Sequence, residues 1–428
     1  MDYSIVTDFI NKAKKFGSRL DLTRISKLCA LLGNPQEKCR YVHVAGTNGK
    51  GSVSIYTENI LMAAGYKTGL FTSPFIYDFN ERIQINNTPI SDEDLLHCME
   101  QVVCATEQML REGFEHPTEF ELITAAAFLY FAEQKCDVAV LEVGLGGKLD
   151  STNVITKPLV SVITSISFDH MEYLGNTLTE IAENKCGIIK EGCPVVTYPY
   201  QPDKAMRVIE HTAENCNCAL CVPHAETVEV HHCGLGGNCF SYDDTIYETS
   251  LVGEFQVMNA VTAIEAVQTL NTQGMAVSKT HIAQGLKNAK WPARFEILCK
   301  NPVVIADGSH NRDGMHAFVE TAKKCLNDKK VICIFGMLKD KEYEMCLKNL
   351  SEIADTVIVT EVDNPRKETV EQLAETAKKY FPTVLARKDN TDAVRLAKTM
   401  VAEKDVVVAL GSLYMMKDIK EAVRKVFG

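Results

Sequence analysis

The sequence predicts an α/β protein of two domains, each built on a mostly parallel sheet. Three observations carry this. Short apolar runs at 41–45, 138–143, 159–166 and 194–197 alternate with helix-like stretches. A second alternating series, with runs at 303–306, 331–335, 356–360 and 406–410, starts after Trp291-Pro292. Strands apolar on both faces and joined by helices belong in parallel sheets of doubly wound architecture. The third observation is a glycine-rich loop, Gly46 to Ser52, between the first run and a helix-like stretch at 53–64.

In chain order, helices are predicted at 91–112, 120–134 and 179–189, with the loop 144–153 between the second and third strands. Residues 199–250 are shorter and less regular, with strand-like pieces at 227–230 and 239–242. A helix follows near 257–270, and the second series carries helices at 314–325, 370–380 and 392–403. The domain boundary is placed at 292/293, giving domains 1–292 and 293–428. No internal repeat or low-complexity segment is present.

A chain of 428 residues, 46% hydrophobic and 24% charged, has the composition of a soluble globular protein. The net charge of −11 argues against nucleic-acid partners. Met1-Asp2-Tyr3-Ser4-Ile5 lacks the basic start and apolar core of a leader, and the longest apolar stretch, 122–132, is too short to span a bilayer. A cytoplasmic monomer without membrane contact is expected. The 16 cysteines are scattered, and Cys136, Cys299 and Cys333 read as small buried thiols. Cys216, Cys218, Cys221 and His224, followed by His231, His232, Cys233 and Cys239, could ligate zinc, but C-x-C-x2-C fits no paired-knuckle spacing. The segment reads first as surface strands.

The chemistry centres on Gly46-Thr47-Asn48-Gly49-Lys50-Gly51-Ser52. Glycines let backbone N–H groups approach phosphate oxygens, Lys50 can offset their charge, and the Ser52 hydroxyl can ligate Mg²⁺. The general phosphate-loop spacing is not met, because Gly46 and Gly49 stand too close and Gly51 separates Lys50 from Ser52. A plain strand-to-helix turn is therefore the alternative. Glu142 ends a strand beside Gly144-Leu145-Gly146-Gly147, where α/β sheets bind ligands; it is either a metal ligand or a strand-end acid in solvent. Asp169-His170 follows the next strand and can supply a metal ligand with its supporting partner. Lys185, by pattern alone, is a solvated helical lysine. Thr118, with Glu121 three residues on, forms a capping-box pattern.

These motifs resemble, in order and over almost the whole chain, the folate branch of the Mur ligase superfamily. The Gly-Thr-Asn-Gly-Lys-Gly-Ser loop and Leu32-Gly33-Asn34-Pro35-Gln36 are the most specific marks. The resemblance implies an N-terminal P-loop-type ATPase domain and a smaller Rossmann-like C-terminal domain. It implies ATP on Gly46–Ser52 and on Asn259, Arg294 and Asp307, with Mg²⁺ held by Ser52, Ser73, Glu142 and His170. Lys185 matches a family lysine that is carbamylated. Asn259 lies in Gly253-Glu254-Phe255-Gln256-Val257-Met258-Asn259-Ala260 and is expected near the adenine. Arg294 sits in Trp291-Pro292-Ala293-Arg294, where the family has Pro-Gly-Arg, and is expected at the γ-phosphate. Asp307 and His310 match an Asp-Gly-Ala-His-Asn segment, for the ribose and the phosphates. Leu70-Phe71-Thr72-Ser73-Pro74-Phe75 resembles a mobile loop, with Phe75 where the family carries histidine. Arg82, Thr118, Phe120 and Glu121 are assigned to a pterin-bearing substrate.

The resemblance thus implies an ATP-dependent ligase. A folate-type carboxylate attacks the γ-phosphate, and L-glutamate displaces phosphate from the acyl phosphate, with Lys50, Lys185, Arg294 and His310 serving the reaction. ATP would bind across the two domains. A peptidoglycan-precursor ligase and a non-catalytic ATP-binding protein are the competing readings.

Overall fold

The computed structural model describes residues 9, 13, 21–327 and 329–428. The N-terminal Met1-Asp2-Tyr3-Ser4-Ile5 lies outside the described residues. The chain divides into two compact units, one of Met1–Val228 with Met258–Ala289, the other of Glu229–Val257 with Lys290–Gly428.

The first unit is built on an eight-stranded sheet: β1 (Tyr41–Ala45), β2 (Thr68–Phe71), β3 (Ile83–Ile85), β4 (Thr88–Pro89), β5 (Val138–Glu142), β6 (Val160–Ile163), β7 (Val195–Thr197) and β8 (Leu220–Cys221). Their order is β4-β3-β2-β5-β1-β6-β7-β8, parallel from β2 to β8, with β3 and β4 antiparallel at one edge. Every residue of β1 and β5 is buried, as their largely apolar runs require, and the polar His43 and Glu142 are buried with them. One side of the sheet packs Tyr41, Phe71, Phe128 and Leu141 together; another core joins Ala45, Ile163, Ile181 and Val195. Because β5 and β6 flank β1, the segments leaving all three strands meet at one edge.

The helix after β1 spans Lys50–Ala63, so it begins inside the glycine loop rather than at Val53. Gly285, on the helix Lys279–Asn288, presses on it so closely that a Cβ would collide with the Ile60 backbone. Residues 70 and 71, read as loop from the sequence, are the buried end of β2. Gly69 within that strand leaves room for the Phe131 ring, 2.7 Å from where its Cβ would be.

The second unit contains an antiparallel sheet of β9 (Glu229–Gly234), β10 (Gly237–Tyr242) and β11 (Thr245–Thr249). It also contains β12 (Glu296–Lys300), β13 (Val303–Asp307), β14 (Val331–Phe335), β15 (Thr356–Val359), β16 (Thr383–Ala386) and β17 (Val406–Leu410). These run β12-β13-β17-β14-β15-β16, parallel except for β12. Leu235 and Val252 pack into the core around Phe318, Phe335 and Val408, which is why the three-stranded sheet belongs with this unit despite preceding it in sequence. All sixteen cysteines are free thiols; Cys136 and Cys333 are buried as expected, whereas Cys299 is only half-buried. No described helix is long and apolar enough to cross a membrane.

Candidate active site

The glycine loop is held by the segment leaving β6. Thr47 N and Asn48 N donate to Ser165 O at 2.8 and 3.4 Å. The Thr47 hydroxyl donates to Ser167 O and accepts from Ser167 N, both at 3.0 Å. Gly46 lies flat on Thr164, whose hydroxyl would overlap any Cβ there. Gly49 is left-handed (φ 86°) and caps the helix that starts at Lys50. A Cβ on Gly49 would sit 2.5 Å from Asn259 Oδ1, so Asn259, buried in the helix Glu254–Thr272, backs the loop. Ser52 is buried in the first turn, where the helix presents its positive end.

Two lysines converge on this loop. Lys50 Nζ donates to Gly46 O and Thr47 O, each at 3.2 Å. Lys185 Nζ donates to Gly46 O at 2.7 Å. Lys185 is only 4% exposed, so the solvated lysine read from its helical pattern is corrected. Its tether is the end of the helix Leu178–Cys186, which points the side chain inward. Burial, then the charge of Lys50, pulls its pKa down to about 7; Asp169 and Asp150 pull the other way.

Glu142, the last residue of β5, is buried, and its Oε2 accepts from Ser73 N at 3.3 Å. The pairing of Phe71 with Leu141 between β2 and β5 brings these two residues together. His170 adopts a left-handed conformation (φ 50°), and its Nε2 lies 3.7 Å from Asp169 Oδ2. A pocket is lined by Gly46, Thr47, Lys50, Val143, Gly144, Leu145, Gly146, Asp169, His170 and Lys185. Predicted residues from three separate stretches of sequence, at 46–50, 169–170 and 185, therefore meet, with the Gly144 loop beside them, whereas Ser52, Ser73 and Glu142 do not line this pocket.

Sequence reasoning missed what holds the Gly144 loop. The buried Asp150 carboxylate accepts from Gly144 N and Leu145 N at 3.0 and 2.8 Å through Oδ2. Its Oδ1 accepts from Thr152 N and Oγ1 at 3.0 and 2.6 Å. An acidic residue following a glycine loop was the available signal.

Thr118 and Glu121 form the predicted capping box: Glu121 N donates to Thr118 Oγ1 at 3.3 Å, and Thr118 N to Glu121 Oε2 at 2.7 Å. The same carboxylate oxygen accepts from Arg24 Nε at 3.1 Å, a partner unseen in the sequence. Phe120 packs on Gly144, 2.6 Å from where a Cβ would be. The Arg82 guanidinium lies over the rings of Phe75 and Phe79 at 5.3 and 5.5 Å and reaches Glu119 at 3.5 Å. Phe75 thus stacks on a cation where a histidine was expected.

In the second unit, Arg294 stands between two left-handed residues, Ala293 and Phe295 (φ 49° and 48°). Its Nη1 donates to Ala293 O at 3.4 Å and would lie 2.8 Å from a Cβ on Gly308. The Asp307 carboxylate accepts from Phe295 N at 2.8 Å and from Ser309 N and Oγ at 2.8 and 2.5 Å. It therefore braces the bend carrying Arg294. His310 Nδ1–H donates to Gly308 O at 2.8 Å, so the proton sits on Nδ1. Among the described residues, no three His, Cys, Asp or Glu side chains gather as a metal cluster, and this includes the cysteine-rich segment. There Cys218 donates to Lys190 O and Cys221 to Glu265.

The Mur ligase middle domain model matches residues 44–267, and the Mur ligase glutamate ligase domain model matches residues 293–413. The dihydrofolate synthase/folylpolyglutamate synthase of Bacillus subtilis is 39% identical, with 99% of each chain covered. The folylpolyglutamate synthase of Lacticaseibacillus casei is 36% identical, again over 99% of each. The Mycobacterium tuberculosis folylpolyglutamate synthase complexed with ADP and AMPPCP superposes with a TM-score of 0.87 at 30% identity, covering 100% of this chain and 99% of that one.

Proposed function

Since this chain belongs to the dihydrofolate synthase/folylpolyglutamate synthase family of the Mur ligase superfamily, we propose that it joins L-glutamate to a pterin-bearing carboxylate at the expense of ATP. The acceptor is dihydropteroate, the γ-carboxyl of a reduced folyl-glutamate, or both. The observation that carries the reading is the convergence of Lys50 and Lys185 on Gly46 O, in a pocket shared with the Gly144 loop and His170.

A carboxylate oxygen attacks the γ-phosphorus and ADP leaves. The glutamate amine then attacks the acyl carbon, inorganic phosphate leaves, and the amine proton passes to solvent. Bringing two anions together is the electrostatic problem. Lys50, with the loop amides and the start of its helix, offsets phosphate charge. The hydroxyls of Ser52 and Ser73 and the Glu142 carboxylate are oxygen donors that suit Mg²⁺, a hard cation that takes few protein ligands beside phosphate and water, and His170, assigned by family resemblance, would be its one nitrogen donor. Bound there, Mg²⁺ would withdraw charge from the phosphate oxygens. Lys185, as a carbamate, would add a further anionic ligand. No side chain serves as a covalent nucleophile.

By family resemblance, Asn259, Arg294, Asp307 and His310 are assigned to ATP, and Arg82, Thr118, Phe120 and Glu121 to the pterin substrate. The contact of Phe120 with Gly144 supports the latter, since it ties that segment to the loop beside Glu142. The test is ADP release with L-glutamate and dihydropteroate, then with tetrahydrofolate. Release with neither overturns the reading; release with only one selects the acceptor.

A further inference from the structure

His43 is an oddity of β1. It is fully buried at the centre of the sheet, paired in register with Leu141 and Ser161. Its Nε2 lies 2.8 Å from the Thr152 hydroxyl, and its Nδ1 is buried without a hydrogen-bond partner. An apolar side chain at this position would carry no such cost.

With Asp150 ionised the hydrogen-bond directions follow: burial pushes its pKa up, and the hydrogen bonds from Thr152, Leu145 and Gly144 oppose that. The Asp150 carboxylate faces four donors: Gly144 N, Leu145 N, Thr152 N and the Thr152 hydroxyl. The single Thr152 hydroxyl proton goes to Asp150 Oδ1 at 2.6 Å, so Thr152 Oγ1 can only accept from His43. His43 is therefore the Nε2–H tautomer. Burial, reinforced by the charge of Lys190, pulls its pKa down to about 3, so the ring stays neutral. The chain of donors runs from His43 Nε2–H through Thr152 Oγ1–H to Asp150, whose other oxygen grips two loop amides. Successive hydrogen bonds in a dry interior polarise one another.

We propose that His43 is a positioning residue for the ligase reaction: through Thr152 and Asp150 it fixes the backbone of Gly144 and Leu145, and with it the placement of the neighbouring Glu142. The catalytic part rests on the ligase reading given above; the positioning part does not.

The test compares His43→Leu, which removes the donor, with His43→Gln, whose amide nitrogen can reach where Nε2 stood. Amide hydrogen exchange at Gly144 and Leu145 should quicken about tenfold in His43→Leu and return toward the wild-type rate in His43→Gln. kcat for glutamate-dependent phosphate release should fall about tenfold in His43→Leu with KM for ATP little changed, and recover in His43→Gln. A mere core filler predicts the opposite order, with leucine tolerated and glutamine harmful. Unchanged exchange in His43→Leu, or equal acceleration in both variants, overturns the proposal. Should His43→Leu not fold, Thr152→Val removes the same relay, with Thr152→Ser as the hydroxyl-keeping control. If the wild-type protein turns over no folate acceptor, the ligase reading fails, and the exchange rates still decide the role of His43.

Discussion

Lys185 and Lys50 share one acceptor: their ammonium nitrogens lie 2.7 and 3.2 Å from the carbonyl oxygen of Gly46. A buried amine beside a second cation gives up its proton easily, and only the neutral amine adds CO₂. We expect a CO₂ adduct on Lys185 in bicarbonate, seen by ¹³C NMR, and absent in Lys185→Arg. Turnover in Lys185→Ala should drop about a thousandfold and recover partly with a short-chain carboxylate. No adduct and no rescue would count against carbamylation.

The same depressed pKa sets a pH dependence. Between about 7, its folded value, and the ordinary 10.5, the unfolded chain binds the Lys185 proton more tightly. Stability of the ligand-free, unmodified protein should therefore rise with pH across this window on account of Lys185. Urea midpoints at pH 7 and pH 9, measured for wild type and Lys185→Met without CO₂, check this; the variant should show the smaller rise.

Lys50→Ala should abolish ligation while leaving the melting temperature near that of wild type, because its ammonium contacts only the loop backbone. His170 is better replaced by asparagine than by alanine, since its φ of 50° suits asparagine. His170→Asn should lose about two orders of magnitude in kcat with the fold intact. Full turnover in either purified variant removes that residue from the mechanism.

Gly46→Ala should be damaging for a steric reason. The new methyl group would meet the Thr164 hydroxyl where β1 ends. A loss of about 1–3 kcal/mol in urea denaturation is expected, with weakened ATP binding in calorimetry. An unchanged midpoint would mean that the loop can shift.

Glu58 supplies a second titration. It is fully buried on the helix Lys50–Ala63, accepts from Asn87 N at 3.0 Å through Oε1, and its Oε2 has no partner. Burial pushes its pKa up to about 8, against the opposing Asn87 N–H. The folded state thus favours the protonated acid, a contribution complete below pH 4.5 and lost as pH rises through 8. Glu58→Gln should be more stable than wild type at pH 9, by on the order of 1–3 kcal/mol, and no more stable at pH 4. Parallel pH–stability curves would refute the assignment.

The parallel strands were legible because burial on both faces leaves an apolar run with no alternation, as in β1, β5, β14 and β17. The strands toward one edge were not: β3 and β4 are short and partly exposed, and β2, buried between β3 and β5, is short and carries Gly69. The glycine loop, Glu142 and His170 could be picked out as candidates from strand ends and glycines. Lys185 and His43 could not be read from local pattern. A helical lysine looks solvated until another segment covers it, and a histidine amid valines looks like filling until Thr152 arrives from a distant turn. Arg294 could not be read from local pattern either, because the bend that carries it is braced by Asp307.

The close seat of Gly285 on Ile60 has a consequence for biosynthesis. The glycine loop and its helix leave the ribosome early, but the helix that covers Ile60 emerges only with Lys279–Asn288. Until then the nascent chain carries a bare apolar helix face, a target for chaperones and a hazard for aggregation. Fragments ending before Lys279 should inherit that liability, so a minimal nucleotide-binding fragment must run through this late helix even though every loop residue lies far upstream.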